Sequence, residues 1–309
     1  MSEIFVGVTD GGWYQSLRAL PSLDEVNFWL PSSGPFRALN PGGLFLFKLH
    51  YPENRIVGGG LFAHHSVLPL SLAWDAFREK NGVGGLGEMI TRLARYQPVL
   101  RSLDLAARQK YPIGCVLIEQ PFFFDEHEWF IPPGWQPNIV RGRGYSLATA
   151  EGQELFRRIQ ERRLEPAETA MVAGPGPRFG EPLLIQPRLG QGSFRVMVTD
   201  AYRRRCAITG ERVLPVLEAA HIVPYAEGGR HEISNGLLLR SDLHTLFDRG
   251  YMTVTPELQV DVSRRLKEDW ENGHEYYAFE GAPVTPPIHE ADRPDPAALL
   301  WHRTQRFAA

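Results

Sequence analysis

The sequence predicts an α+β protein of two domains. Three observations lead to this prediction. The chain has 309 residues, and one domain typically holds roughly 100 to 200. Runs rich in β-branched and aromatic residues are interspersed with amphipathic helical patterns. A Gly- and Pro-rich stretch, AGPGPRFGEP at 173–182, interrupts both patterns. We therefore place domains at 1–165 and 188–309, joined by a linker at 166–187.

The first domain is expected to combine strands with flanking helices. IFVGVT at 4–9 has the composition of a strand, and Asp10 is the candidate N-cap of a following helix. Two strands around the turn YPEN are predicted within 41–63, and the glycines 58–60 indicate a β-bulge or a close backbone approach. Further elements are predicted as helices at 71–82, 86–96 and 151–164 and as strands at 113–124 and 138–147.

The second domain is predicted to open with a helix at 192–204 that leads into a hairpin around Thr209 and Gly210. GERVLPVLEAAHIVP then ends in a short strand near His221, and NGLLLRSDLHTLFDRG indicates a strand followed by a helix. On that helix His244 and Asp248 lie one turn apart on the same face. Such spacing allows an imidazole and a carboxylate to bind one divalent ion.

Composition restricts the possible functions. With 43% hydrophobic and 22% charged residues, the chain is typical of a soluble globular protein. Its net charge of −3 argues against a general polyanion binder, so nucleic acid would have to meet local positive charge. Arg203, Arg204 and Arg205 form such a cluster and are candidate phosphate contacts, although a solvated helix face explains them equally well.

Cellular location is predicted from what the sequence lacks. Only two cysteines occur, Cys115 and Cys206, which fits a reducing cytoplasm. The N-terminus, MSEIFVGVTDGGW, has neither the basic nor the apolar region of a signal peptide. No apolar run approaches the length of a membrane span. We therefore expect a cytoplasmic protein without a membrane partner.

One segment carries a recognisable pattern. Residues 218–254 read EAAHIVPYAEGGRHEISNGLLLRSDLHTLFDRGYMTV and contain His221, Asn235 and His244 in that order. This spacing, together with the AHIVP, NGLLL and HTLFDRG contexts, resembles the HNH endonucleases, the ββα-metal nucleases. The resemblance covers roughly residues 190–280.

The resemblance implies a role for each matching residue. His221 corresponds to the general base that takes a proton from the attacking water. Asn235 corresponds to the asparagine that ties the hairpin loop and helps to position the base. His244 corresponds to the metal ligand, and Asp248 stands where some members carry a further ligand. The implied cofactor is a divalent cation, Mg²⁺ or Mn²⁺.

The segment departs from the family pattern in two places. Many relatives carry Asp or His directly before the general base as a metal ligand, and Ala220 stands there in this chain, which leaves Glu218 as a spare candidate. Many relatives also bind zinc through a CxxC pair, whereas here Cys206 is followed three positions later by Thr209. No structural zinc is expected. His231, in a Gly-rich turn, is interpreted as structural or solvent-exposed.

The first domain resembles PUA-like domains, including the EVE and SRA groups, in its strand pattern and in the NFW context of EVNFWLPS. These small β-barrels take a modified base into an aromatic pocket, so the resemblance implies a reader of modified DNA. Asn27 is the candidate for a Watson–Crick edge contact, and Phe28 or Trp29 for stacking. Trp13 and Trp74 are further aromatic candidates. A role in the hydrophobic core is the simpler explanation for each aromatic residue.

Chains that join a PUA-like reader to an HNH domain are modification-dependent restriction endonucleases. The predicted function is therefore type IV-like cleavage of double-stranded DNA that carries modified cytosines. Because one HNH site cuts one strand, a homodimer is expected. Two alternatives remain open. One is an HNH nuclease that ignores modification and nicks or recognises structure. The other is an inactive HNH-fold DNA-binding regulator, which Ala220 favours.

Overall fold

The computed structural model describes residues 2–163 and 189–308. It divides into two compact units, one within residues 1–187 and the other within residues 188–309. The predicted linker at 166–187 lies outside the described residues. Within the described part, no helix has the length and apolar character needed to cross a membrane.

The first unit follows the predicted order of strands and helices closely. Its elements are β1 (Ile4–Thr9), α1 (Gly11–Arg18), β2 (Glu25–Leu30), β3 (Leu44–Leu49), β4 (Ile56–Pro69), α2 (Leu70–Phe77), α3 (Leu86–Tyr96), α4 (Leu105–Lys110), β5 (Pro112–Phe123), β6 (Gly142–Tyr145) and α5 (Ala150–Arg163). Asp10 caps α1 as predicted, because its carboxylate accepts a hydrogen bond from the backbone N–H of Trp13 at 2.8 Å.

The strands of the first unit form one mixed sheet in the order β2-β5-β4-β3-β1-β6. β1 and β3 run parallel, and the other neighbours run antiparallel. The predicted α+β class is confirmed. The predicted PUA-like barrel is not found in the described residues, where the sheet stays open. Closure would require its edge strands to pair, but β2 pairs with β5 and the short β6 pairs with β1.

Aromatic rings fill the interior beside this sheet. Phe28 lies 4.8 Å from Phe45 and 5.5 Å from Trp13 between ring centroids. Phe47 in turn packs edge-on against Trp13 at 5.0 Å. All four side chains are buried. Their interlocked, mostly tilted or edge-to-face packing is the geometry that aromatic pairs prefer, and it fixes the position of the rings.

The second unit contains the predicted strand, strand and helix around the histidines. Its elements are α6 (Gln191–Ala201), β7 (Leu217–His221), β8 (Gly236–Arg240), α7 (Ser241–Asp248), β9 (Met252–Val254), β10 (Val260–Val262), α8 (Arg265–Trp270), α9 (His274–Tyr277) and α10 (Pro296–Gln305). β7 and β8 are antiparallel, with His221 opposite Gly236, and α7 follows β8 directly. The strand predicted near His221, the NGLLL strand and the SDLHTLFD helix are confirmed.

The final helix, α10, packs on the core of this unit. Leu299 is completely buried within it. The ring of His302 stacks on Phe247 of α7 at 3.7 Å and lies within hydrogen-bond distance of Thr253 Oγ1 and the Phe247 carbonyl oxygen. Burial lowers the pKa of His302 to about 4, so this histidine is neutral at pH 7 and has a structural role.

The hairpin predicted around Thr209 and Gly210 is wrong. The chain forms a hydrogen-bonded turn there, in which the Gly210 N–H donates to the Cys206 carbonyl oxygen at 2.9 Å. The segment after the turn forms a short 3₁₀ helix at Leu214–Val216. Pro215 lies in that segment and has no N–H to donate to a strand partner, which explains why no strand follows the turn directly.

Gly58 on β4 provides a test of the first sheet. A β-carbon there would lie 2.2 Å from the Phe122 carbonyl oxygen, and the register shifts nearby, between Gly59 and Leu61. Both expectations for the glycine run are therefore confirmed. We predict that Gly58→Ala lowers the free energy of unfolding by about 1–3 kcal/mol, because backbone must move to admit the methyl group. Urea unfolding measures this difference.

Gly87→Ala is the matched control for Gly58→Ala. No heavy atom lies within 4 Å of a β-carbon at Gly87, which is in the first turn of α3. This change should leave the free energy of unfolding unchanged or raise it by up to about 1 kcal/mol, because alanine favours the helix and restricts the unfolded chain. Equal losses for the two variants would contradict the close approach at Gly58.

Candidate active site

The second unit contains a cleft of about 480 Å³, here called the histidine cleft. It collects side chains from strand β7 and helix α7, which are separated in sequence. The residues that line it and bear on its chemistry are Phe194, Arg195, Glu218, His221, Tyr225, His244, Asp248 and Arg306. Two of the three predicted catalytic residues and both predicted metal ligands therefore share one cavity.

His221 lies at the end of β7, where its ring is confined. The ring of Phe194 stacks on it at 3.9 Å with an interplanar angle of 13°. Its Nε2 lies 3.1 Å from Nδ1 of His231. Burial, followed by the effect of His231, lowers the pKa of His221 to about 4. The imidazole is thus neutral at pH 7 and able to accept a proton.

Asn235 lies outside the cleft lining and holds the loop that joins β7 to β8. Its Oδ1 accepts a hydrogen bond from the Val223 N–H at 2.9 Å. Its Nδ2 donates to the carbonyl oxygens of Val223 at 3.0 Å and Arg230 at 2.9 Å. The side chain is buried, so these bonds form without competition from water. The three bonds tie the loop between β7 and β8, and a part for Asn235 in positioning the base stays a prediction.

His244 on α7 lies between two carboxylates. Its Nδ1 is 2.6 Å from Glu218 Oε2, and its Nε2 is 3.2 Å from Asp248 Oδ2. Burial lowers the pKa of His244, but the hydrogen bonds and charges of Asp248 and Glu218 outweigh this effect and leave the pKa raised. The structure therefore brings Glu218, the spare candidate of the sequence analysis, closer to His244 than Asp248.

The position before His221 cannot supply a ligand. Ala220 is completely buried and belongs to the hydrophobic core of the unit. Cys206 is buried in the same core, and its Sγ accepts a hydrogen bond from the Thr209 N–H at 3.4 Å. Glu218, two positions earlier on β7, is the residue of this strand that reaches His244.

The positive charge at the cleft comes from residues that sequence reasoning missed. Arg195 on α6 and Arg306 after α10 line the cavity, and Arg306 forms an ion pair with Glu227. The predicted arginines lie elsewhere, immediately after α6, where Arg204 pairs with Asp200 at 3.2 Å. Arg195 had a detectable signal, since it follows Phe194 on the first helix of the predicted domain. Arg306 had none.

A second cleft, of about 450 Å³, lies in the first unit and is called the aromatic cleft. Trp13, Phe28 and Trp29, three of the predicted pocket residues, line this cleft.

The other two predicted pocket residues, Asn27 and Trp74, lie elsewhere. Asn27 is buried and donates hydrogen bonds to Asn81 Oδ1 at 2.9 Å and Cys115 Sγ at 3.4 Å. Trp74 lies beneath the Arg78 guanidinium. The other residues that line the aromatic cleft include Ser32, Phe36, His50, Tyr96 and Arg141.

Comparison with protein families matches residues 206–255 to the model described as HNH endonuclease. The second unit contains an HNH endonuclease domain. The match spans β7, β8 and α7, and therefore includes His221, Asn235 and His244. Phe194 and Arg306, which line the cleft of the HNH domain, lie outside the matched residues.

Comparison with solved structures finds similarity to a protein described as the modification dependent TagI restriction endonuclease. The sequence identity is 14%, the match covers 97% of this chain and 80% of that one, and the TM-score is 0.29. A TM-score this low does not establish a shared overall fold. The comparison with curated proteins found no match.

We predict that Asn235→Ala lowers the free energy of unfolding by about 1–3 kcal/mol, because it removes three partly buried hydrogen bonds to the loop backbone. Thermal or urea unfolding measures the change. Asn272→Ala is the control, since Asn272 is an exposed asparagine of the same unit and should change stability by less than about 0.5 kcal/mol. Similar effects of the two substitutions would exclude the loop-tying role.

Proposed function

We propose that the protein is a metal-dependent endonuclease that hydrolyses phosphodiester bonds in double-stranded DNA. The observation that carries this proposal is the pairing of two histidines in one cleft of the HNH domain. His221 is neutral at pH 7 and His244 is flanked by carboxylates. Arg195 lines the same cleft, as does Arg306, which is ion-paired with Glu227; guanidinium groups at such a place can contact the phosphate oxygens that position a nucleic acid.

His221 is assigned as the general base. Proton transfer by a positioned imidazole contributes about 10²- to 10⁴-fold to such reactions. Stacking on Phe194 limits rotation of the ring, and its low pKa keeps the proton-accepting nitrogen free at neutral pH. The ring is therefore placed to take a proton from water that attacks phosphorus in the cleft.

His244 and Asp248 are assigned to the metal ion. Among the described residues, no group of three or more His, Cys, Asp or Glu side chains has the arrangement of a metal centre, so the ion would complete its shell with phosphate and water. The oxygen ligands, one carboxylate together with phosphate and water, suit Mg²⁺ or Mn²⁺. A divalent cation held there would stabilise negative charge on the phosphate and the leaving oxygen.

The two distances to His244 distinguish the carboxylates. The two nitrogens of an imidazole point away from each other, so one ion can be shared with only one of them. Adjacent ligands of an octahedral ion at about 2.1 Å lie about 3 Å apart, which is close to the 3.2 Å between Nε2 and Asp248. The 2.6 Å between Nδ1 and Glu218 is a hydrogen-bond distance. Glu218 therefore orients the ring of the ligand.

These assignments predict that His221→Ala abolishes DNA cleavage and leaves Mn²⁺ affinity unchanged, whereas His244→Ala abolishes both. Asp248→Asn should weaken Mn²⁺ binding more than Glu218→Gln, because loss of a ligand costs more than the roughly 10- to 100-fold that loss of its orienting partner costs. Calorimetric Mn²⁺ titration and plasmid cleavage measure these effects. Intact metal binding in His244→Ala would refute the metal site. The opposite order for the two carboxylates would move the ion to Glu218.

We further propose that the first unit restricts cleavage to modified DNA. A modified base is read when it leaves the stack, at a cost of a few kcal/mol, and stacking on aromatic side chains returns roughly 1–3 kcal/mol per base. The aromatic cleft supports this role because Trp13, Phe28 and Trp29 line it and its volume is about 450 Å³. Asn27 and Trp74, which do not line the cleft, are given no part in it.

Matched DNA substrates with Mg²⁺ or Mn²⁺ test this restriction. The substrates are unmodified, 5-methylcytosine, 5-hydroxymethylcytosine, glucosylated and phosphorothioate DNA, each with the wild type and His221→Ala. Cleavage confined to modified DNA supports the reader. Equal cleavage of every substrate keeps the nuclease and rejects the reader. Absence of metal-dependent cleavage on all substrates favours the inactive DNA-binding alternative.

A bulky residue at the mouth of the aromatic cleft should remove the preference for modified DNA. Ser32 lines the cleft and is exposed, and Ser33 beside it is also exposed. We predict that Ser32→Trp reduces this preference by about tenfold or more, which is the stacking energy of one base, and leaves the melting temperature unchanged. Ser33→Trp should retain the preference. Equal behaviour of the two variants would place recognition outside the cleft.

The products from a supercoiled plasmid address assembly. One HNH site cuts one strand, so we propose that two chains combine to cut both strands. Linear DNA produced at a rate that rises steeply with protein concentration supports this proposal. A strictly monomeric protein that produces only nicked circles would contradict it.

A further inference from the structure

We propose that His231 is a positioning residue for the general base: it binds Nε2 of His221 and thereby leaves Nδ1 of His221 as the nitrogen that accepts the proton. This inference rests on the proposed role of His221. His231 had no such role in the sequence, where its Gly-rich surroundings indicated a structural or exposed residue. The structure places it half-buried against the catalytic ring.

The geometry around His221 leaves one nitrogen free for chemistry. Phe194 covers a face of the ring at 3.9 Å, and His231 Nδ1 lies 3.1 Å from Nε2 with the two rings nearly perpendicular, at 76°. His221 lines the histidine cleft, and His231 is not among the described residues that line it. The Nε2 edge of His221 is therefore held by protein, and the opposite nitrogen, Nδ1, is left to meet water.

His231 is itself held in place by the loop between β7 and β8. The carbonyl oxygen of Arg230, its neighbour in sequence, accepts a hydrogen bond from Asn235 Nδ2 at 2.9 Å. The exposed ring of Tyr225 stacks on the His231 ring at 4.6 Å with an angle of 28°. Phe194 also contacts the His231 ring, edge to face, at 5.7 Å. Asn235 thus acts on the base through the loop that carries His231.

The hydrogen bond has a chemical consequence because a neutral imidazole carries one proton on two nitrogens. If Nε2–H of His221 donates to Nδ1 of His231, Nδ1 of His221 is unprotonated and can act as a base. Without an acceptor at Nε2, the ring would also populate the tautomer with the proton on Nδ1, which cannot accept a proton from water there. The partner of one ring nitrogen sets the protonation of the other.

Two substitutions separate this role from simple packing. In His231→Asn, the side-chain oxygen replaces Nδ1 as the acceptor. In His231→Phe, the ring that stacks with Tyr225 is kept and the acceptor is lost. We expect His231→Phe to lower kcat by about 10- to 100-fold, the usual effect of removing the partner that orients a functional histidine. KM for DNA and Mn²⁺ affinity should stay unchanged, and His231→Asn should retain kcat close to that of the wild type.

The tautomer can be read without any cleavage assay. In protein labelled with ¹⁵N-histidine, the ring nitrogens of His221, assigned with His221→Ala, should report a proton on Nε2 in the wild type. His231→Phe should increase the population with the proton on Nδ1. A wild-type His221 that carries its proton on Nδ1, or equal kcat values for the Asn and Phe variants, would overturn the proposal. A protein that cuts no DNA but has the Nε2–H tautomer would reject the nuclease function alone.

Discussion

The buried amide of Asn235 is the interaction on which the geometry of the HNH domain depends. β7 and β8 are joined by the long loop 222–235, and a long loop loses much conformational entropy when it adopts one structure. Hydrogen bonds from Asn235 to Val223 and Arg230 close this loop on itself. Because the loop carries His231, closure of the loop also places the His231 ring against Nε2 of His221. A polar side chain outside the cleft thus governs a ring inside it.

The two histidines of the cleft have pKa values shifted in opposite directions because their surroundings differ. Burial, followed by the neighbouring imidazole of His231, lowers the pKa of His221 to about 4. His244 has two carboxylates, and its pKa is raised. Environments that push the pKa values of neighbouring groups apart also divide their chemical roles. The neutral ring can accept a proton, and the carboxylate-flanked ring favours positive charge, whether a proton or a cation supplies it.

Local sequence patterns predicted the ββα framework because each of its elements has a local cause. The apolar run of NGLLL, the helix SDLHTLFD and the i, i+4 spacing of His244 and Asp248 depend on neighbours in the sequence alone. Glu218 was ranked low because its contact with His244 requires strand β7 to pack beside α7, which no local pattern specifies. Arg306 and His231 were missed for the same reason: their roles come from tertiary contacts across the unit.

In the first unit, the same pattern of strand-forming runs is compatible with either an open sheet or a closed barrel. Strand-forming runs predicted the strands, but whether a sheet closes depends on the pairing of its edges, and here the short β6 pairs with β1. The same limit applies to aromatic residues. Nothing local distinguishes Phe28, which lines the aromatic cleft, from its neighbour Asn27, which bonds to Asn81 in the interior. Alternation along a strand separates them only once the sheet has its two faces.

Both clefts are backed by rings that are already locked in place. Phe194 is buried and fixes the face of His221, and Trp13 and Phe28 hold each other edge to face behind the aromatic cleft. Side chains that have already lost their rotamer freedom during folding lose little further conformational entropy when a ligand binds. The stability of each core therefore supplies the rigidity of its site, and a substitution that loosens either ring is expected to weaken binding before it unfolds the unit.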